Sequence, residues 1–470
     1  MKNRIVTLIF TLLFINNSIA QKTLTIDEVI EIAFKNSNHI KIINNNFEKS
    51  KIEFNLTKIA ILPKVSASVS LPYQRSISEV IQANGSQKFI ERNFLNSALN
   101  LNISQLLPFT GGTLNVTSSI NNSRDFNNNI SSFSSNWVNV SYQQSINGYN
   151  RYKWDKKLNN LGFKKDSIDF LKEKYKLKYD ISKIYLELNI SSLKIDLLKQ
   201  NILKTEKILI EIEEKYKFGR VLKIELDQLK ITLNQLNNQL KYSQSSYKIG
   251  LNDLFSAINY KNTESLVLKN VEFVTFNIDE NVLKKAIKSN DFELTKSIKQ
   301  IQSDSNIEKV KKEGAISVNL QLGLGLNSTA IDFSRLYELP SQSQFVTIGT
   351  KIPILDWGLS RKNLQIANLE KDNVALELKE QEIKLEDKVD EIINYQSSLL
   401  TNNNYFQEQV KLSQTVSGVF YELLKMGRKT ISEYNNQIAE TFKTQIEYQT
   451  NSNNMYLLKL NIDSILFKNP

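Results

Sequence analysis

This chain of 470 residues has no cysteine and a single histidine, His39. That excludes disulfides, thiol chemistry, zinc sites of the Cys/His kind and a lipid carried on an N-terminal cysteine. Glycine (14) and proline (6) are scarce, so long stretches run without a break in regular structure. No apolar run reaches the roughly 20 residues that a membrane-spanning helix needs. A chain without such runs can still cross a membrane as a closed β-barrel, whose backbone groups pair from strand to strand. Carboxylates are spread along helical faces with no His, Cys or phosphate-cradling loop beside them. No catalytic, cofactor or metal site is therefore expected, and Gly323 and Gly325 read as packing glycines of a strand.

Lysine and arginine total 60 against 49 acids, a net charge of +11. The lysines alternate with glutamates along helix faces, so no nucleic-acid partner is expected. Met1 to Ala20 reads as a signal peptide: Lys2 and Arg4, an apolar run from Ile5 to Ile15, and Ser18-Ile19-Ala20 before the cleavage point. Its removal lowers the charge by two, to +9.

What the chain has instead is helical rods. From Tyr149 to Phe218, Ile181, Ile184, Leu188, Ile195, Leu198, Ile202, Leu209, Ile212 and Tyr216 fall on three- and four-residue steps, with only Ser191 and Thr205 interrupting the seam. Such spacing predicts a helix that supercoils against neighbours. A second seam, Leu186, Ile190, Leu193, Leu197 and Ile208, leaves both flanks wanting partners. At about 1.5 Å per residue, some seventy residues make a rod of roughly 100 Å. Gly358 to Met426 is a second rod of nearly equal length.

The rest repeats around these rods. Thr25-Ile26-Asp27-Glu28 looks like a capping box opening a short helix, and a second helix ends before Pro63. The period then changes to two, which predicts four strands over 64–146: around Val65 to Leu71, Leu99 to Ile103, Leu114 to Val116 and Val138 to Tyr142. The long helix (149–218) turns at Phe218-Gly219-Arg220 and returns over 223–257. After a connector to 277, the second half has helices over 279–313, strands over 315–355, the long helix 358–426, a turn at Met426-Gly427-Arg428 and a returning helix 429–466. Asp27 and Asp279 lie 252 residues apart, Gly148 and Gly358 210, and Gly219 and Gly427 208. The halves, 21–277 and 278–470, are internal repeats whose offset drops within the β portion, where the first has two strands more.

Strands with one apolar face in an exported chain suit a membrane barrel. Four or six cannot close a useful bore, so the chain should oligomerise, and the two-sided seams point the same way. The rival architecture is a non-transporting coiled-coil scaffold or adhesin of the periplasm or cell surface.

Leu62-Pro63 before the first strand, Pro353-Ile354-Leu355-Asp356-Trp357-Gly358 between strand and long helix, and the paired turns at Gly219 and Gly427 carry a resemblance. Along essentially the whole mature chain, the sequence resembles the outer-membrane efflux protein family typified by TolC. It departs in having Glu313-Gly314 where a second Leu-Pro would stand, and an extra hairpin around Leu107-Pro108-Phe109-Thr110-Gly111-Gly112. The resemblance implies an α+β membrane protein: a homotrimer with one shared β-barrel in outer-membrane lipid, continued by an α-helical barrel through the periplasm. Four strands per chain would give 12 in the trimer; with the extra pair, 18. It implies passive export for a tripartite efflux or type I secretion system, with a periplasmic adaptor (membrane fusion protein) and an inner-membrane pump as partners. Gly219, Arg220, Gly427 and Arg428 would meet the adaptor. Tyr216, Glu225, Lys429 and Glu433 match the family's periplasmic gate, while Asn436 stands where a second acid is found.

Overall fold

The computed structural model describes residues 23–261, 267–289 and 291–468; the expected signal peptide lies outside them. In chain order the elements are β1 (Thr23–Leu24), α1 (Ile26–Asn36), α2 (Asn38–Ile59), β2 (Lys64–Ser70), β3 (Tyr73–Ile81), β4 (Gln87–Leu106), β5 (Thr113–Asp125), β6 (Ile130–Ser145), α3 (Arg151–Lys217) and α4 (Lys223–Ala257). The second half has β7 (Val267–Leu268), α5 (Glu280–Ser289), α6 (Asp291–Glu313), β8 (Ser317–Ala330), β9 (Ser341–Lys351), α7 (Leu359–Lys425) and α8 (Ile431–Leu466). The chain forms two compact units, Met1–Phe47 with Ile168–Asn290 and Ile383–Pro470, and Glu48–Ser167 with Asp291–Glu382. Each half of the chain contributes to both.

The first unit is helical with a small parallel β1–β7 pair. Thr25 caps α1 in a reciprocal box with Glu28, satisfying amides that the first turn leaves without partners. At the matching point of the second half Asp279 caps α5, accepting from the Asn281 and Val282 amides. The equivalent of Asp279 is thus the cap Thr25 rather than Asp27. The fully buried Tyr185 hydroxyl, 2.8 Å from both, is shared between the Leu24 and Lys269 carbonyls, tying α3 to both short strands.

Apart from the exposed Tyr216, the two seams of α3 are largely covered within this unit. Ile181, Leu186 and Leu188 pack with α1, Leu254 and Ile258; Leu198 and Ile202 meet Leu236; Ile208 and Ile212 join a third cluster. The seams therefore supply no argument for oligomerisation, because the chain's own helices bury them.

The second unit holds one antiparallel sheet in the order β2-β4-β5-β6-β8-β9, with β3 also on β4. The expectation of four strands over 64–146 becomes five. β2 and β3 lie end to end along β4, Lys64–Ser70 against Ala98–Ser104 and Tyr73–Ile81 against Gln87–Leu95. Leu71-Pro72 separates them, where proline has no N–H to give the ladder. The polar β3, with Gln74, Arg75 and Glu79, showed no alternation to read; Arg75 pairs there with Glu91. The last strand also ends earlier than expected, at Lys351, leaving Ile352 and Ile354 outside it. Pro353 stops it, and the joint to α7 is a turn. Trp357 and Gly358 both have positive φ (51° and 78°), and Asp356 accepts from the Gly358 and Ser360 amides at 2.9 and 3.0 Å. The Asp-x-Gly of the joint is thus a side-chain-held turn that caps the long helix.

The helical segments of this unit meet through polar and aromatic contacts. Phe54 stacks on Phe163 (4.6 Å), Trp154 Nε1 donates to Glu308 (3.1 Å), and Lys371 pairs with Asp304 (2.7 Å).

Candidate functional site

Two helical hairpins end side by side in the first unit. In each, the chain must reverse after a long helix whose last carbonyls lack partners. Gly219 and Gly427 take left-handed conformations, φ 69° and 71°. The Gly219 amide reaches Tyr216 O and the Arg220 amide reaches Lys215 O, at 2.9 and 3.0 Å. The second tip repeats the pattern with Gly427 to Leu424 O and Arg428 to Leu423 O, at 3.0 and 2.9 Å. Both are Schellman turns, which need a residue free to adopt positive φ. Nothing would touch a Cβ at either glycine, so backbone conformation alone demands them.

One core joins the tips: Ile208, Ile212, Leu226 and Leu229 with Leu424, Ile431, Tyr434 and Ile438. Burial pushes the Tyr434 phenol up to about 12. Lys215 Nζ crosses to the Lys425 carbonyl (2.6 Å), placing a cation on the C-terminal end of α7, where the helix dipole favours one. Lys425 in turn faces Glu211 (3.7 Å), and Lys230 faces Glu213 (3.1 Å). Sequence reading missed these ties, since no spacing rule relates Lys215 or Glu211 to Lys425, more than two hundred positions on, or Glu213 to Lys230 across a turn.

Of the four expected gate residues, two are joined directly in the single chain. Lys429 and Glu433 pair at 2.6 Å, and Glu433 also completes a capping box with Thr430 at the start of α8. The Lys429 hydrogen bond, then the Thr430 amide and hydroxyl, hold the Glu433 carboxyl down to about 2. Glu225 stands at the matching place in the first turn of α4, where the N-cap is Leu222 and no side chain caps. Tyr216 is exposed on the last turn of α3. Tyr216 and Glu225 make no side-chain hydrogen bond among the described residues, and Arg220 and Arg428 are exposed without an ion pair there. The Thr430-x-x-Glu433 motif could have been read as a capping box from sequence, as Thr25-x-x-Glu28 was.

In the second unit the candidate surface is a sheet face. Successive register pairs carry one apolar row from Val65 to Ile103, Val116, Val140 and Leu324. Beside it Leu114, Tyr142, Leu322 and Val346 make another. These residues face solvent in the single chain: Val65 is 66% exposed, Leu324 65% and Val346 70%. The opposite face is mainly polar, although Ile90, Phe94 and Leu106 of β4 lie on it, as does Phe345, whose ring lies against Gly323 where a Cβ would collide with it. A sheet with one exposed apolar face and one polar face fits a wall between lipid and water. No described helix is long and apolar enough to cross a membrane, which says nothing of the sheet.

Helix α7 adds an exposed apolar stripe. Leu369, Leu376 and Ile383, and later Tyr405, Leu412 and Val419, are exposed at seven-residue intervals. Among the described residues no cluster of His, Asp or Glu is placed to hold a metal.

No protein-family model and no curated protein matches the chain by sequence. Solved structures match it by fold. The CmeC outer membrane channel of Campylobacter jejuni is similar over 94% of this chain and 85% of its own, with a TM-score of 0.64 and 16% identity. The outer membrane protein VceC of Vibrio cholerae matches over 94% and 95%, with 0.65 and 10%. The open-state MtrE outer membrane channel of Neisseria gonorrhoeae matches over 94% and 88%, with 0.60 and 12%. The order of helices and strands, the apolar-faced sheet and the paired helical tips thus come together in the fold of the TolC-like outer-membrane channels.

Proposed function

We propose that this chain is the outer-membrane exit duct of a tripartite efflux or type I secretion system, which passes cargo without itself driving transport. Three copies share one β-barrel in outer-membrane lipid, and their long helices form a tunnel in the periplasm after signal cleavage near Ala20. The observation that carries this reading is the apolar sheet face, which no part of the single chain covers fully and which suits contact with lipid. The heptad-spaced stripe on α7 supports assembly, since exposed apolar residues at that interval are what a helix of a neighbouring copy covers.

The tips are the working end. Gly219 with Arg220 and Gly427 with Arg428 present exposed turns to a periplasmic adaptor, which links the duct to an inner-membrane pump. Tyr216, Glu225, Lys429 and Glu433 line the entrance, where the Lys429–Glu433 pair holds one of the two tips in place.

Extraction from membranes and reconstitution into planar bilayers tests the duct. The expected result is a trimer that needs detergent, dissociates on heating and gives ion-conducting steps. A chain that stays soluble and monomeric without detergent, and conducts nothing, would leave the scaffold reading in its place.

A further inference from the structure

Resting on the duct reading, we infer that each chain gives the membrane wall six strands, so that the trimeric barrel has eighteen rather than twelve. The extra hairpin, β5 with β6, decides this. It is not hung on an edge of the sheet: the only lateral route from β2, β3 and β4 to β8 and β9 runs through it. β5 pairs with β4 from Phe94↔Asp125 to Leu106↔Thr113, and β6 with β8 from Phe133↔Ala330 to Ser145↔Asn319. Taking the hairpin out of the wall would break both ladders and leave rows of unpaired backbone groups in lipid, which offers them no hydrogen-bond partner.

Its side chains follow the same rule as those of the flanking strands. In one row Val116 and Val140 continue the apolar line between Ile103 and Leu324. In the neighbouring row Thr117 and Asn139 continue a polar line that runs Ser66, Asn102, Thr117, Asn139, Gly325, Ser343 across the whole sheet. A hairpin lying in the bore or in the aqueous periplasm would have no use for an apolar face in register with its neighbours.

Closure is also consistent with six. β2 with β3 forms one edge and β9 the other, and neither outer edge has a partner among the described residues. Counting β2 and β3 as one line, six antiparallel lines leave the two edges running in opposite directions. β9 of one copy can therefore pair antiparallel with β2 of the next, closing a ring of three. With strands about 4.8 Å apart and tilted about 40°, eighteen strands enclose a backbone diameter of about 36 Å, against about 24 Å for twelve.

The cysteine-free chain makes the test direct. Single substitutions Leu114→Cys, Asn115→Cys, Val116→Cys, Thr117→Cys, Val140→Cys and Ser141→Cys are placed in the full-length protein reconstituted in liposomes. They are then treated with a membrane-impermeant maleimide. Asn115→Cys, Thr117→Cys and Ser141→Cys should react at least about tenfold faster than the three apolar positions, which face lipid. Equal rates at all six in a channel that still conducts would overturn the six-strand wall and leave the duct intact. End-on cryo-electron microscopy of the unsubstituted protein should count eighteen strands; twelve would overturn the inference whatever the labelling shows. Absence of both trimers and conductance would overturn the duct reading, and this inference with it.

Discussion

Helices α3 and α7 have the same length, 67 residues each, and opposite surroundings. α3 buries Ile181, Tyr185, Leu186, Leu188, Ile195, Leu198, Ile202 and Ile212 within its own chain. α7 buries a shorter set around Val389, Ile392 and Leu399 and leaves its heptad stripe of Leu369, Leu376, Ile383, Tyr405, Leu412 and Val419 exposed. Two rods of equal period thus serve different ends. One organises the fold of a single chain, and the other keeps an apolar stripe that its own chain leaves uncovered.

Substitution separates the two roles. Leu186→Ala on α3 should cost about 3 kcal/mol of chain stability through the cavity it leaves, read as a fall in the denaturant midpoint of the monomer. Leu412→Glu on α7 should leave that midpoint within about 0.5 kcal/mol, since the site is exposed, yet abolish the heat-sensitive trimer on gels. If Leu412→Glu unfolded the chain, or left the trimer intact, the contrast between the helices would collapse.

The hairpin tips sharpen the same comparison at smaller scale. Both turn on a glycine, but only α8 starts with a side-chain cap; α4 starts on Leu222, which is exposed. Thr430→Ala should destabilise its tip by about 1 kcal/mol, seen as faster hydrogen exchange over 424–438. Leu222→Thr should slow exchange over 208–230, because with Glu225 three positions on it recreates the missing box. Equal responses in both tips to Thr430→Ala would mean the shared core alone sets their stability.

The smallest expected effect is that of pH. Glu433 is held at about 2 in the folded chain against an ordinary value of 4.5. A carboxylate with a lowered folded pKa lends stability that is complete above its unfolded value and lost as pH falls through the folded one. The second tip should therefore loosen between about pH 4.5 and 2, with the loss reduced in Glu433→Gln, which cannot titrate. Single-channel recordings over that range would show more frequent opening in the wild type. Glu225, outside any such pair, should contribute less, so Glu225→Lys should disturb gating less than Glu433→Lys.

Much of this fold was legible because it is local. The rods follow from seam residues at three- and four-residue steps, and the expected boundaries 149–218 and 358–426 fall within two residues of Arg151–Lys217 and Leu359–Lys425. The Gly219 and Gly427 turns were legible because only positive φ reverses the chain there. Less could be read where patterning was weak. β3 carries no alternation, Pro353 cut the last strand short, and β4 runs for 20 residues although only Leu99 to Ile103 displayed its period. Of the gate residues, the Lys429–Glu433 pair is local, four positions apart along one helix start, whereas the Lys215 bridge to the Lys425 carbonyl depends on two long helices meeting.

Sequence by itself determined the period of each element, the residues able to turn, and the existence of apolar faces, since these depend on backbone preference and spacing along the chain. Tertiary structure alone decided which faces the chain covers for itself. It also decided that β5 and β6 stand inside the sheet rather than beside it. A seam or an alternating strand records that something apolar must lie against it; only the packing of distant segments settles whether that cover is its own chain, another copy or lipid.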